Sequence, residues 1–120
     1  MVRQTLLASA ALVLFGVTGC ATPFRVYLQA QDGTEARGTV ERGCCGGAMT
    51  VMLDGRTFTG RWVGTQAGIF SNTRHKLALL RSPDGATLRC EYDHDLNAGS
   101  GIGECRDNEG KVFALQVGGG

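Results

Sequence analysis

Apolar and polar residues alternate along much of the chain, and this period of two is typical of half-buried β-strands. The run Phe24–Gln31 is the clearest case, because its residues 24, 26, 28 and 30 are all apolar and share one face. No window beyond the N-terminal segment has convincing helical spacing. The pattern therefore predicts an all-β fold.

Short turn sequences separate the strand-like runs. The clearest hairpin joins Ala48–Leu53 to Arg56–Val63 through Asp54 and Gly55, a pair that favours a type I′ turn because both central residues need positive φ. The same arrangement predicts further strands at Glu35–Val40, Lys76–Ser82, Ala86–Tyr92, Gly101–Arg106 and Lys111–Val117. Residues Gly64–Arg74 show neither period, which predicts a connecting loop.

These elements predict an antiparallel meander of about seven or eight short strands, arranged as a sandwich or a small barrel. The alternation also predicts which side chains point inward. They are Val26, Leu28, Phe58, Trp62, Leu88, Tyr92, Phe113, Leu115 and Val117. Because Trp62 and Phe113 lie on alternating apolar faces, we expect them in the core and not in a ligand pocket.

The first residues have the layout of a bacterial signal peptide, in which Arg3 precedes the apolar run Leu6–Val17. That run is too short to cross a bilayer of ~30 Å. It ends in Val-Thr-Gly before Cys20, a sequence that resembles a lipobox, where signal peptidase cuts before a cysteine that carries lipid. An ordinary secretory signal cleaved near Ala21 is the alternative.

The lipobox resemblance implies three segments, which are a signal peptide at 1–19, a lipidated tether at 20–23 and a single β domain at 24–120. Cys20 would carry the acyl chains, and several chains give a durable anchor in the lipid bilayer. Ala21 follows the cysteine, which in enteric-type sorting implies the outer membrane. The expected location is therefore the cell envelope, with the domain facing the periplasm.

The charge balance argues against nucleic-acid binding. The chain has 12 Lys and Arg residues and 11 Asp and Glu residues, so loss of Arg3 with the signal peptide leaves the two signs equal. Basic residues form no block, and aromatic residues are not interleaved with them. We expect no nucleic-acid partner.

Four cysteines remain after Cys20, and an even number in an exported protein favours disulfides. Cys90 shares the strand parity of Leu88 and Tyr92, so it is expected to point inward. Cys105 lies in the adjacent predicted strand. A Cys90–Cys105 bridge is therefore the preferred one among the three connectivities that four cysteines allow.

Cys44 and Cys45 are adjacent, and three glycines around them allow unusual φ values. The pair could form a strained vicinal disulfide, bond separately to the two later cysteines, or stay reduced. A reduced pair near Met49 and Met52 would suit a soft ion such as Cu(I), or redox chemistry. Against this, the two methionines fall on opposite faces of a predicted strand, and the spacing is not that of a zinc site.

The segment Asp93–Glu104 has part of the spacing of a calcium loop. Asp93, Asp95, Asn97 and Glu104 occupy positions 1, 3, 5 and 12 of an EF-hand-like loop, where oxygen ligands could wrap Ca²⁺. Position 6, which needs glycine, is alanine, and both flanks predict strands. A solvated polar loop is the competing interpretation.

Catalytic patterns are weak in this sequence. Ser100 lies in Gly-Ser-Gly, which is not the nucleophile elbow that follows a strand. His94 stands between two aspartates, but neighbours in a strand or turn point apart. No glycine-rich loop precedes a helix in the manner of a phosphate-binding site. We therefore expect a non-enzymatic protein and assign no cofactor.

The C-terminal third, Leu88–Tyr92 followed by Gly101–Leu115, resembles a family of uncharacterised small proteobacterial lipoproteins. Those chains pair an inward cysteine with a Gly-x-Gly-x-Cys strand and end in a turn, an aromatic residue and leucine. The resemblance covers the lipobox and this segment, and Cys90 and Cys105 match the family cysteines. It implies an envelope-exposed β domain and carries no established activity.

The sequence thus predicts a membrane-anchored envelope lipoprotein whose disulfide-linked β domain has a non-enzymatic binding, inhibitory or structural role. Its expected partners are the bilayer, through Cys20, and an envelope protein. The alternative is a thiol-based metal-binding or redox protein that uses Cys44 and Cys45.

Overall fold

The computed structural model of the protein describes residues 22–43, 45–64 and 72–118. They form eight strands, β1 (Phe24–Ala30), β2 (Glu35–Val40), β3 (Gly46–Leu53), β4 (Arg56–Gly64), β5 (Thr73–Arg81), β6 (Thr87–Asp95), β7 (Ser100–Asp107) and β8 (Val112–Gly118). Each strand pairs with the next, and β8 pairs with β1, so the sheet closes into a barrel. The predicted all-β meander is confirmed, with the barrel as its form. The predicted signal helix and Cys20 lie outside the described residues.

The two ends of the barrel differ. Four tight connections, at residues 31–34, 54–55, 82–86 and 108–111, lie at one end, which we call the turn end. The opposite end, which we call the mouth, holds the start of β1, the segment between β2 and β3, and the turn between β6 and β7. At the turn end, Asp54 and Gly55 have φ values of 52° and 75°, which confirms the predicted positive φ at both positions.

The barrel interior is filled by apolar side chains. All nine residues that the alternation assigned to the interior are buried, with 2% or less of their surface exposed. An eight-stranded barrel has an interior just wide enough for side chains to fill. Trp62 and Phe113 are therefore core residues, as predicted.

Some inward positions are glycine because neighbouring strands approach closely there. A Cβ atom at Gly103 would collide with the backbone carbonyl of Glu91 on β6, and one at Gly60 would collide with that of Leu79 on β5. Glycines at such positions let strands bend enough to close a small barrel. Gly101 and Gly103, the two glycines of the Gly-x-Gly-x-Cys segment, also lie against the ring of Tyr92 or its Cβ.

The predicted disulfide is present. Cys90 on β6 is directly opposite Cys105 on β7, and both residues are fully buried. Their sulfur atoms are bonded at 2.04 Å. Because each of these cysteines is bonded to the other, neither is available to Cys44 or Cys45.

Strand ends extend beyond the predicted bounds at the mouth. β6 continues to Asp95 and β7 begins at Ser100, so only residues 96–99 connect them. β5 begins at Thr73, and Gly64 belongs to β4, so the predicted loop Gly64–Arg74 was too long at both ends. Polar residues at these positions hid the alternation from the sequence pattern.

Substituting Gly103 tests the close approach of β6 and β7. We expect Gly103→Ala to lower the free energy of unfolding by about 1–3 kcal/mol, because the added methyl group meets backbone. Chemical denaturation measures it. Gly118→Ala is the matched control, since a Cβ there meets no atom within 4 Å and should change stability by less than about 0.5 kcal/mol. Equal effects of the two substitutions would contradict the close-approach explanation.

Removing the disulfide should also lower stability. The bridge joins cysteines 15 residues apart, and a loop of that size is worth about 3 kcal/mol in the chain-entropy model. We expect the Cys90→Ala/Cys105→Ala variant to have a free energy of unfolding lower by about 3 kcal/mol, and adding reductant should not change that value. A Cys44→Ser/Cys45→Ser variant should keep the response of the wild-type protein to reductant; loss of that response there would show that it belongs to the other cysteine pair.

Candidate functional site

Three polar side chains point into the barrel near the mouth. Lys76 on β5 and Tyr92 and His94 on β6 are 5%, 2% and 3% exposed. They point inward because they continue the parity of buried residues on their own strands, such as Ala78 on β5 and Cys90 on β6. Buried lysine and histidine are exceptions in a barrel whose interior is mostly apolar.

Lys76 lies over the indole of Trp62, with its Nζ 4.2 Å from the ring centroid. The same Nζ is 5.9 Å from the ring centroid of Tyr92, which is the direct cross-strand neighbour of Lys76. The indole is fixed in turn, because its Nε1 donates a hydrogen bond of 2.9 Å to the carbonyl oxygen of Glu41. The ammonium group is therefore held against aromatic faces, an arrangement that favours a cation.

Gly47, two residues after Cys45, makes room for Trp62. A Cβ at Gly47 would lie 2.8 Å from the indole Nε1, whereas one at Gly43 would be in ordinary contact with the ring at 3.7 Å. The sequence suggested that these glycines serve unusual φ values, but neither has a positive φ. Their described role is steric, because the indole occupies the space of a Gly47 side chain and the backbone carbonyl of Gly46 lies 2.6 Å from a Cβ at Gly43.

A second group of stacked side chains lies at the mouth beside β1. The guanidinium of Arg42 lies 4.1 Å from the ring centroid of Phe24, and Phe24 lies 5.0 Å from the ring of His94. Arg42 also donates a hydrogen bond of 2.6 Å from Nε to the carbonyl oxygen of Thr22. This stack places a further positive charge at the mouth and holds the segment before β1 against it.

Burial and neighbouring positive charges shift the buried titratable groups. Burial lowers the pKa of Lys76, and the nearby Arg74 lowers it further. Burial also lowers the pKa of His94, followed by the charge of Lys76, while Asp95 opposes the shift and Arg42 and Arg74 add to it. Both side chains are thus buried beside other positive groups, which disfavours their charged forms.

Burial alone raises the pKa of Tyr92 to about 12, so its hydroxyl stays protonated and can donate a hydrogen bond. The Tyr92 hydroxyl and His94 Nδ1 are both buried and have no hydrogen-bond partner within residues 22–43, 45–64 and 72–118. Such groups are rare in folded proteins and call for an explanation.

The predicted thiol site is only partly described. Cys45 is exposed and lies just before β3, at the mouth, whereas Cys44 is outside the described residues. Met49 is buried in the barrel and Met52 is exposed on its outer surface, which confirms that the two methionines face opposite ways. In the described part of the chain, no three His, Cys, Asp or Glu residues are grouped to hold a metal ion.

The acidic segment is not the twelve-residue loop that the calcium interpretation required. Asp93 lies on β6 and contacts His75 at 3.0 Å, and Asp95 accepts hydrogen bonds from the backbone N–H groups of Asn97 and Ala98. Glu104 lies on β7. Asp95 therefore stabilises a tight turn, and strand pairing takes up most of the intervening residues.

His94 does not form a catalytic pair with its neighbours in sequence. Its side chain points into the barrel, whereas Asp93 and Asp95 are exposed on the outer surface. Ser100 is also exposed, at the first position of β7. The predicted separation of these side chains is confirmed.

Lys76 and the inward direction of His94 are the features that sequence analysis missed. Lys76 has the parity of Ala78 and Leu80, and His94 has the parity of Leu88 and Tyr92. Lys76 is the first residue of the predicted strand Lys76–Ser82 but was not assigned to the interior because it is charged. The predicted strand Ala86–Tyr92 ended two residues before His94, so extending its alternation would have placed that residue inside.

The described residues form a small, closed, antiparallel β-barrel with an internal Cys90–Cys105 disulfide. No family model matches it, and a search of curated proteins gave no match. Two solved structures share the fold. A redesigned β-barrel, mFAP1, bound to DFHBI, has a TM-score of 0.55 and 18% identity over 80% of this chain and 91% of that chain.

A second designed protein, a de novo fluorescence-activating β-barrel, has a TM-score of 0.54 and 19% identity, covering 82% of this chain and 91% of that one. Identity this low shows the likeness of the fold alone. Among the described residues, no helix is long and apolar enough to cross a membrane.

The lowered pKa of His94 predicts a loss of stability in weak acid. Because the folded state binds a proton on His94 less readily than the unfolded chain, the stabilisation is complete above pH 6.5 and is lost as the pH falls through the folded pKa. The free energy of unfolding, measured between pH 7.5 and about 5 to stay above most carboxyl pKa values, should therefore decrease.

Histidine variants test whether His94 causes the decrease in the free energy of unfolding at low pH. His94→Gln should flatten the pH dependence in this range, whereas His75→Gln, which alters the exposed contact with Asp93, should retain it. The charges facing His94 are Lys76, Arg42, Arg74 and Asp95, and they stay the same in both variants. If the free energy of unfolding of His94→Gln still falls steeply with pH, the group that is protonated in this range is not His94.

Proposed function

We propose that the protein is an envelope lipoprotein, anchored through acylated Cys20, whose barrel is a non-enzymatic binding module with its site at the mouth. The observation that carries the binding role is the set of buried, unpartnered polar atoms beside Lys76. Polar groups with no structural partner are expected where a ligand completes the hydrogen bonding.

The disulfide supports an envelope location. Structural disulfides persist in oxidising compartments such as the periplasm and are rare in the cytosol. The Cys90–Cys105 bridge lies inside the barrel between paired strands, as expected for a structural bond. It fits the export signal that the first residues of the sequence predict.

The geometry near β1 supports an anchor close to the mouth. Thr22 is held there by the hydrogen bond from Arg42. Cys20 precedes Thr22 by two residues, so a lipid on Cys20 would lie within about 7 Å of Thr22 along the chain. A bilayer that held this lipid would lie next to the basic mouth.

The outer surface gives less support to a large protein interface. The exposed large apolar side chains lie on six elements of the barrel and its turns, and among them only Val63 and Leu79 are neighbours across paired strands: Met52, Val63, Leu79, Leu96, Ile102 and Val112. Single exposed apolar residues are normal on protein surfaces, whereas interaction sites show contiguous patches. The mouth is therefore the preferred site, and an envelope protein partner is the less favoured form of the proposal.

A thiol-based metal or redox role at Cys44 and Cys45 is a second candidate. It is favoured by the exposure of Cys45 and by the closed Cys90–Cys105 bridge, which removes two of the disulfide partners the pair could have used. Alkylation of thiols in the native protein, followed by peptide mapping, distinguishes a thiol pair from a vicinal disulfide. Complete oxidation of both residues in envelopes would exclude the metal site.

The anchor is tested by intact mass and cell fractionation. We expect protein isolated from envelopes to start at Cys20 and to carry the mass of its acyl chains. Cys20→Ala should prevent both the cleavage and the acylation. Cys45→Ser is the matched control, because it removes a thiol outside the predicted lipobox and should leave the acyl mass unchanged.

An unmodified Cys20 in the envelope protein would overturn the anchoring proposal. The binding proposal would survive that result, because the mouth is built from residues of the barrel alone.

A further inference from the structure

We propose that the mouth of the barrel binds a phosphate group through Lys76, Tyr92 and His94, with the group supplied either as a free anion or as a phospholipid headgroup. This inference rests on the proposed binding role and deepens it by naming the chemistry of its ligand. The observation behind it is that Lys76, a buried positive side chain, has no carboxylate partner among the described residues.

Lys76 is a buried cation with no carboxylate partner. It forms no ion pair within the described residues, and its neighbours are the rings of Trp62 and Tyr92. The chain has 11 Asp and Glu residues, and all of them lie within residues 22–43, 45–64 and 72–118. The remaining residues therefore contain no acidic side chain that could neutralise this ammonium group.

The three acidic residues nearest the mouth have other partners. Glu41 accepts a hydrogen bond of 2.7 Å from the backbone N–H of Ala48, and Asp95 accepts those of the β6–β7 turn. Asp93 is on the outer surface with His75. Each of these carboxylates thus has a local structural role, and none of them pairs with Lys76 in the described part of the chain.

A second positive side chain lies at the mouth, since the guanidinium of Arg42 is 4.1 Å from the ring centroid of Phe24. Positive groups beside walls of low polarity focus the field and attract an ion of the opposite sign. The walls here are aromatic, formed by Trp62 and Phe24.

Hydrogen-bond donors accompany the charge. The Tyr92 hydroxyl and His94 Nδ1 are buried and have no hydrogen-bond partner among the described residues. The phenol stays protonated and can donate a hydrogen bond. The imidazole can donate one from Nδ1 when its Nδ1–H tautomer is present. Lys76 is opposite Tyr92 in the β5–β6 register, and His94 follows Tyr92 by two residues on the same face. Three donors therefore belong to one patch of the inner wall.

This donor set fits a compact anion with several oxygens. Phosphate offers more acceptor oxygens than a carboxylate and a larger charge, and lysine is a common phosphate ligand as a point charge. The interior below the patch is filled by side chains that are at most 2% exposed, such as Phe58, Leu80 and Leu88. A long apolar tail has no room there, so only the headgroup of a lipid would enter.

A bound water would satisfy the polar atoms but not the charge. Burying an ammonium group without a counter-charge is unfavourable, and proteins retain such groups where a ligand needs them. Replacing Lys76 by methionine keeps the length and apolar contacts of the side chain and removes the charge. We therefore expect Lys76→Met to fold and to unfold at a higher denaturant concentration than the wild-type protein.

The protein contains one tryptophan, which makes Trp62 a specific probe. The full chain, in non-ionic detergent, is titrated with inorganic phosphate while Trp62 emission is recorded, against sodium chloride of equal ionic strength. An anion that draws Lys76 away from the indole should change the emission in a saturable way, which chloride should not reproduce.

The chain offers a matched control in its other lysine. Lys111 is at the turn end, where its Nζ lies 2.7 Å from Asp32. We expect Lys76→Met to weaken phosphate binding by about tenfold or more, and Lys111→Met to leave it unchanged. Tyr92→Phe, which removes only the hydroxyl, should also weaken binding.

A second titration separates the two sources of phosphate. A Cys20→Ala chain and its Lys76→Met counterpart, which keep the same apolar N-terminal run, are mixed with phosphatidylcholine vesicles, with or without phosphatidylglycerol, and Trp62 emission is recorded again. If Trp62 emission responds to phosphatidylglycerol vesicles but not to inorganic phosphate, and the response needs Lys76, the ligand is a lipid headgroup. If emission responds to inorganic phosphate, the ligand is the free anion. Absence of any saturable response, or an equal response in Lys76→Met, overturns the proposal.

Failure of the anchor proposal is distinguishable from failure of the phosphate proposal. A chain without lipid on Cys20 would still change its Trp62 emission in the phosphate titration.

Discussion

The interior volume of a closed eight-stranded barrel is the constraint on which the rest of this structure depends. Such a barrel has just enough room for its inward side chains, so a large ring requires a small residue opposite it. Trp62 faces Gly47 across β3 and β4, and Tyr92 faces Gly103 across β6 and β7. These two pairs place both rings inside the barrel near the mouth and bring the strands close enough to curve. The hydrogen-bonding groups and the buried lysine are positioned by that packing.

The alternation of apolar residues was sufficient to predict the class of fold, most strand bounds and the core. It worked because strands have a period of two that depends on the backbone alone. Cys90 could be assigned to the interior by the same parity, which is why its bridge to Cys105 was predictable. Closure of the sheet was not predictable, since the pairing of β1 with β8 leaves no signal in either strand.

The candidate site was missed for a physical reason. Lys76 and His94 are polar residues at inward positions. Sequence analysis left Lys76 off the interior although it began a predicted strand there, and it ended the next strand at Tyr92, before His94. The glycines near Cys44 were noticed but attributed to backbone conformation, because a single sequence cannot show that an indole 15 residues away fills the space beside Gly47. The twelve residues with calcium-loop spacing do not form a single loop, because strand pairing extends to Asp95 and resumes at Ser100.

The closure of the barrel also has a consequence for how the chain folds. Seven of the eight strand pairings join neighbours in sequence, so they form from local hairpins; only β1 and β8 must find each other from opposite ends, as Leu28 and Leu115 do. Local contacts form quickly and distant ones slowly, so the ring-closing step is the slow one. Until it occurs, both terminal strands present open edges to other chains. Crowding of newly made copies would therefore be most harmful during that interval, before the barrel has closed.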